Sequence, residues 1–390
     1  MNIPAPIRAF AEDLTAIRRD LHEHPELGFE EVRTAGIVAA KLRDWGIEVT
    51  EGIGKTGVVG VLRGNRPGRS IGLRADMDAL PIHEQTNLPW ASKTPGVMHA
   101  CGHDAHTTML LGAARYLAQS RDFAGTAVFI FQPAEEGLGG ARAMIADGLF
   151  TRFRCDEVYG LHNSPYHAPG EVGVKPGPAM AGANFFDITI TARGCHAAMP
   201  ESGIDSIVIA SALVQQLQSI VARNVPATRQ VVLSVTQIHA GAAYNVIPEE
   251  ARLAGTVRYF DRAMAGLVTR RMQEICDGMA QSYGVRIELD MRNVFDVLEN
   301  TPELAREMIA AARELVAEQA QIKDDLVMGS EDFADMLQAV PGAYCTIGHS
   351  GSVPLHNPGF VLDDAVLPLG AALMARMVER RGAPQADQDR

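Results

Sequence analysis

Three apolar runs set the strongest constraint on this chain. "SIGLRADMD" ends at Asp78, "GTAVFIFQPAEE" at Glu136 and "EVYGLHN" at Asn163, and each turns from apolar to chemically reactive side chains at its carboxyl end. Runs of this kind read as strands, and "AHTTMLLGAARYLAQS", between the first two, has helical spacing. Strands separated by helices imply an α/β sheet. Open sheets of that class place ligands at the carboxyl ends of their strands. Asp76, Asp78, Glu135, Glu136 and His162 all fall there. A set of unrelated surface loops would not show that order.

Further strand-like and helical runs surround these three. "TGVVGVLRG" reads as a strand, and "IRAFAEDLTAIRRDLHEHPEL" as one opening helix that ends at His24-Pro25. From residue 184 the rhythm changes to strand, helix, two strands, helix, strand, the order of a ferredoxin-like α+β unit. After "NTPE" the helix–strand alternation resumes. The expected organisation is a discontinuous domain of residues 1–183 and 297–390, split by an inserted domain of residues 184–296. The final "RGAPQADQDR" is expected to fray.

Composition narrows the function classes. The chain has 390 residues, 47% hydrophobic and 21% charged, which is globular, and its net charge of −12 argues against a nucleic-acid binder. It contains no uninterrupted apolar stretch near the roughly 20 residues of a membrane span, so no membrane role is expected. The opening "MNIPAPIRAFAEDL" lacks the basic and apolar regions of a secretory signal. Cys101, Cys155, Cys195, Cys276 and Cys345 are odd in number and scattered, as expected of thiols in a reducing compartment. A cytoplasmic location follows as the expectation.

The densest chemistry lies in "HACGHDAH", residues 99 to 106. Cys101 and His103 flank a glycine, and Glu136, His162 and His356 (in "PLHNPGF") offer three more donors at loop positions. A catalytic zinc takes three protein ligands and keeps a place for water. If one of the five donors bridges, they fill six ligand slots, which points to a two-metal hydrolytic centre. Beside a metal, the adjacent glutamates of "PAEEG" divide labour: Glu136 ligates, and Glu135 serves as general base. Asp76 or Asp78 can orient a ligating histidine through its other ring nitrogen. Asp104 reads as a cap of the following helix, and His22 and His24 as the end of the first. His83, His167, His239 and His349 have no partner that the sequence names. His99 and His106 flank the cluster, at the helix start or behind the ligands.

Taken together, "RRDLHEHPELGFEE", "GLRADMDALPI", "MHACGHDAHTTMLLGAA", "FQPAEEGLGGARAMI", "GLHN", "GCHAAMP", "AYNVIPEEARLAGTVR", "MGSEDF" and "PLHNPGF" resemble, in order, a known family. It is that of the dinuclear-metal amidohydrolases, which includes hippurate hydrolases, bacterial N-acyl-amino-acid deacylases and plant auxin–amino acid conjugate hydrolases. The resemblance implies a metallopeptidase-like catalytic domain with a central mixed sheet. It also implies that the inserted ferredoxin-like unit is a lid and dimerisation domain. Two divalent ions, zinc, manganese or cobalt, would be held by Cys101, His103, Glu136, His162 and His356, with Glu135 as base.

His196 matches a lid histidine that reaches the reacting carbonyl, and Asn245 and Arg258 match positions that hold a substrate carboxylate. Cys195 departs from the pattern, because glycine is expected there. The implied reaction is hydrolysis of N-acyl amino acids by a homodimer acting on a small molecule. An N-carbamoyl-amino-acid amidase or dipeptidase on the same scaffold is the alternative within enzymes, and a metal-loaded binding protein the alternative outside them. A redox role for Cys101 is disfavoured because no C-x-x-C partner accompanies it.

Overall fold

The computed structural model describes residues 1–349, 351 and 353–383. They divide into two compact units, one of residues 1–177, 299–325 and 332–383, the other of residues 178–298 and 326–331. The expected boundaries at 183/184 and 296/297 therefore move outward by a few residues. In addition, residues 326–331 join the inserted unit. Backbone pairing explains this: Ala181 N–H donates to Val327 O at 3.0 Å and to Gly329 O at 3.1 Å. Residues 384–390 of the tail lie outside the described residues.

In chain order the first unit begins with a short helix, Ala5–Ala9, followed by helices α1 (Ala11–Glu23) and α2 (Val32–Asp44), then strands β1 (Glu48–Ile53), β2 (Gly57–Arg63) and β3 (Arg66–Asp76). Helix α3 (His103–Ser120), β4 (Ala124–Gln132), β5 (Glu157–Ser164) and β6 (Val172–Val174) follow. The inserted unit supplies β7 (Gly182–Thr191), α4 (Ser206–Arg223), β8 (Val231–Ala240), β9 (Glu250–Tyr259), α5 (Arg262–Tyr283) and β10 (Arg286–Phe295). The first unit then resumes with α6 (Pro302–Val316), β11 (Ala320–Ile322), β12 (Gly342–Gly348) and α7 (Leu367–Arg381). The single opening helix expected from the sequence is instead two, Ala5–Ala9 and α1. Phe10 lies between them at φ −113° and ψ 22°, outside helical geometry.

The first unit is built on an eight-stranded mixed sheet in the order β1-β2-β4-β3-β5-β12-β6-β11. Strands β4, β3, β5 and β12 are parallel neighbours, buried along most of their length, as expected where helices cover both faces. Register aligns their ends: Asp76 pairs with Gln132 and Arg74 with Gly160, so His162 lies two residues further on, level with Asp76. Helix α3 crosses over from β3 to β4 and is buried along most of its length. Helix α7 packs closely against it, because Gly112 and Gly370 have no side chain; a Cβ at Gly370 would lie 2.2 Å from Met109 Sδ.

The inserted unit has its own antiparallel sheet in the order β8-β9-β7-β10, with the βαββαβ connectivity of a ferredoxin-like unit. Alternate residues of β7 (Phe186, Ile188, Ile190) face a separate core with Leu213 and Leu217 of α4 and Met272 of α5. Asp205 and Asp261 cap the two helices through their first backbone N–H groups. By length and composition alone α4 is apolar enough to cross a membrane. Its stripe of Ile209, Leu213, Leu217 and Ile220 is taken up by the core of the unit.

Candidate metal centre

The strand ends of the first unit converge on the five donors singled out in the sequence. Cys101, His103 and His162 form one group whose ligand atoms lie within 4.8 Å of one another, and Cys101, Glu136 and His356 form a second. Cys101 belongs to both. Its Sγ lies 3.3 Å from His162 Nε2, and His356 Nε2 lies 3.2 Å from Glu136 Oε1. Glu135, almost fully buried, joins His103 and Glu136 in a third group.

Two of the donors, His103 and His162, are held from behind. His103 opens α3, preceded by Gly102 at φ +87°, a left-handed conformation that suits glycine. Its Nδ1 lies 3.1 Å from Asp78 Oδ1, which leaves Nε2 facing the cluster. Asp76 instead holds His106, with Oδ1 2.6 Å from Nδ1, and His106 Nε2 accepts the Asn163 backbone N–H at 2.9 Å. Asp76 thus fixes the end of β5 next to His162, whereas Asp78 orients His103. Behind them the buried Arg74 donates to Asp76, Gln132 and Asp332.

Two atoms carry the test of whether cations fit here. His103 Nε2 is buried with no well-formed hydrogen bond among the described residues, and Glu136 Oε1 is buried with only the His356 ring, at 3.2 Å, beside it; polar atoms so placed are costly unless something else satisfies them. The electrostatics agree. Burial and the nearby Glu136 carboxylate push the Cys101 thiol up. Burial opposes the charge on His103, but Asp76, Cys101 and Asp78 outweigh it and hold the imidazolium well above its usual range. Hydrogen bonds to Cys101 and Glu136 raise His356 to about 10. Burial, with His106 nearby, pushes His162 well down and leaves it neutral, the form that ligates. The cluster therefore concentrates negative charge and retains protons to balance it; divalent cations would displace those protons.

Several other expectations change. Asp104 caps no helix: its Oδ2 lies 2.8 Å from His22 Nδ1 and accepts from Arg18 Nη1 at 3.3 Å. His22 does more than end α1, since it is buried between Asp104 and Glu84. His349 is buried with Nε2 3.0 Å from Asn163 Oδ1, so it does have a partner. Asn163 itself had no role in the sequence reading. Its Nδ2 donates to Cys101 O at 2.6 Å, close enough that a Cβ on Gly102 would lie 2.3 Å from it. The signal was its place in "GLHN", beside a donor.

The remaining candidates lie in the inserted unit. His196 is exposed on a two-residue strand, where it pairs with Val246, and Ala197 N–H donates to Asn245 O at 3.0 Å. His196 and Asn245 thereby line one concavity with Cys195 and Glu249. Cys195, in place of the expected glycine, is accommodated because Gly203 opposite it has no side chain; a Cβ there would lie 2.5 Å from Sγ. Arg258 lines a different concavity of the same unit, with its guanidinium 5.7 Å over the Phe185 ring.

Comparison with known proteins gives a consistent result. The family model for peptidase family M20/M25/M40 matches residues 72–380. A hippurate hydrolase of Campylobacter jejuni is 43% identical over 378 residues, covering 97% of this chain and 98% of that protein. An N-acetylcysteine deacetylase of Bacillus subtilis is 39% identical, covering 95% and 97%. A Bacillus subtilis crystal structure described as a dinuclear metal-binding peptidase superposes with a TM-score of 0.83 at 36% identity, covering 96% of this chain and 99% of that one. With most of its length matched by that model and by such relatives, this chain belongs to peptidase family M20/M25/M40.

Proposed function

We propose that the protein hydrolyses the amide bond of N-acyl amino acids in a metal-dependent reaction, releasing a carboxylic acid and a free amino acid. The observation that carries this is the division between the two adjacent glutamates: Glu136 shares a donor group with Cys101 and His356, while Glu135 stands beside it at His103. The names of the relatives, hippurate hydrolase and N-acetylcysteine deacetylase, support the substrate class.

Cys101, His103, Glu136, His162 and His356 would hold two divalent ions. When bound, the ions supply Lewis acidity and depress the pKa of water toward about 7. Glu135 takes the proton of the attacking water and returns it to the departing amine. His196 stabilises the developing oxyanion. Asn245, in the concavity it shares with His196, binds the substrate carboxylate; Arg258, which lines a different concavity, is the second candidate for that carboxylate, a task suited to its planar guanidinium fork. The thiolate of Cys101 favours zinc, although imidazole and carboxylate donors also accept manganese or cobalt. The inserted unit acts as lid and dimerisation domain; light scattering on the purified protein should give a dimer, and a monomer would overturn that assignment. Five unpaired cysteines support a cytoplasmic setting.

The test is amino-acid release from N-benzoyl, N-acetyl and N-carbamoyl amino acids and from dipeptides. Wild type and Glu135→Gln are each stripped and reloaded with zinc, manganese or cobalt. The expected result is release from the acyl substrates, lost on chelation and reduced by roughly 10²- to 10⁴-fold in Glu135→Gln. Undiminished turnover in that variant would remove Glu135 from its role. A clear preference for the carbamoyl or dipeptide arm would move the substrate class.

A further inference from the structure

The turn that carries both glutamates leaves β4 through Pro133 and Ala134. Ala134 sits at φ +54°, in the left-handed region that a residue with a Cβ rarely adopts. It is held there from two sides. Its carbonyl accepts from Gly140 N–H at 3.0 Å, and its own N–H donates to Glu31 Oε1 at 2.8 Å. Two residues later, Glu136 N–H donates to Asp78 Oδ2 at 3.0 Å. Two carboxylates thus grip alternate N–H groups of one turn, on either side of Glu135.

Glu31 is placed where a different task is expected. It immediately precedes α2, a position at which acidic side chains ordinarily accept from the first N–H groups of the helix. Glu26 performs that task instead, accepting from Arg33 N–H at 2.9 Å and Thr34 N–H at 2.8 Å. Glu31 turns inward and is fully buried, with Oε2 accepting the Thr56 hydroxyl at 2.5 Å. Burial pushes its carboxyl above the usual range in spite of those hydrogen bonds. Burying a carboxylate is unfavourable unless its contacts repay the lost hydration. The contacts recorded here are Thr56 and the strained peptide beside the two functional glutamates.

We propose that Glu31 is a positioning residue for amide hydrolysis. By locking Ala134 in its left-handed conformation it fixes the direction in which Glu135 leaves the turn, so that the carboxylate reaches the attacking water. This rests on the reading of Glu135 as the general base.

The experiment compares wild type, Glu31→Ala, Glu31→Gln, the double variant Glu31→Ala/Ala134→Gly and Glu135→Gln. For each, kcat, KM, bound metal per chain and thermal midpoint are measured. Glu31→Ala should keep wild-type metal content and a KM within about twofold, yet lose roughly 10²-fold in kcat, the scale of a misplacement near 1 Å. Glu31→Gln retains an oxygen for Ala134 N–H and should recover at least about tenfold of that loss. Glycine adopts a positive φ without a clamp, so the double variant should also recover kcat.

A folded, metal-replete Glu31→Ala with wild-type kcat overturns the proposal. So does a kcat loss fully accounted for by lost metal, or a Gln variant no better than Ala. If Glu31→Ala does not fold, Glu31→Asp, one methylene short of Ala134, takes its place with the same expectations. Full activity in Glu135→Gln would overturn the underlying reading of the base. An inactive Glu135→Gln alongside an unimpaired Glu31→Ala would overturn only the positioning role.

Discussion

Asn163 shows how much a residue without chemistry of its own can contribute to a site. Its side chain joins the Cys101 carbonyl to His349, and its backbone N–H holds His106, so one residue ties Cys101, His349 and His106 together. Supporting residues of this kind typically contribute 10- to 100-fold in metal affinity. Asn163→Ala should therefore weaken metal binding by about that factor, read by competition with a chromophoric chelator, while far-ultraviolet circular dichroism stays unchanged. Gly102 is the complementary case. A side chain there meets Asn163 Nδ2 and sits at φ +87°, so Gly102→Ala should lower stability by roughly 1–3 kcal/mol in urea unfolding. The donors themselves were legible in the sequence because thiol, imidazole and carboxylate announce their chemistry. Asn163 and Glu31 were not, because an amide or a lone carboxylate gains meaning only from the atoms it meets.

At the scale of elements, strands β3, β4 and β5 could be read from their apolar runs, and their functional ends from the change of residue type. What could not be read was which helix meets which. Nothing local in α1 says that Arg18 and His22 will meet Asp104 of α3, and without that contact Asp104 reads as a cap. That contact has a pH signature. Burial disfavours the charge on His22, but Asp104 outweighs it and raises His22 from 6.5 to about 9. Burial likewise opposes the Asp104 carboxylate, but His22 and Arg18 hold it well below its ordinary 3.8. The raised histidine stabilises fully below pH 6.5, and that contribution is lost as pH rises through about 9. The depressed carboxylate stabilises above pH 3.8 and is lost as pH falls below it. The pair therefore supports the fold most between these limits. Urea midpoints across pH should decline on the alkaline side for wild type, and His22→Gln should flatten that decline.

The whole molecule has two separate hydrophobic cores, one per unit, and all five candidate ligands belong to the first. Calorimetry should accordingly resolve two transitions, of which chelation moves only one. Each ion at 100 times its Kd should stabilise that unit by about 2.7 kcal/mol relative to the stripped protein. The ferredoxin-like insertion was legible because its βαββαβ order is local. The move of residues 326–331 into that unit was not, because it depends on backbone pairing with Ala181, far away in sequence. The discontinuity also has a consequence for biosynthesis. Strand β12 lies inside the main sheet, between β5 and β6, and His356 follows it. Every strand of the inserted sheet is translated before either of them. During synthesis the later-started unit can therefore finish folding first, while the older segment waits with a gap in its sheet. Cations have no complete binding site until the ribosome has passed residue 356, so metal loading is a late event in the life of each new chain.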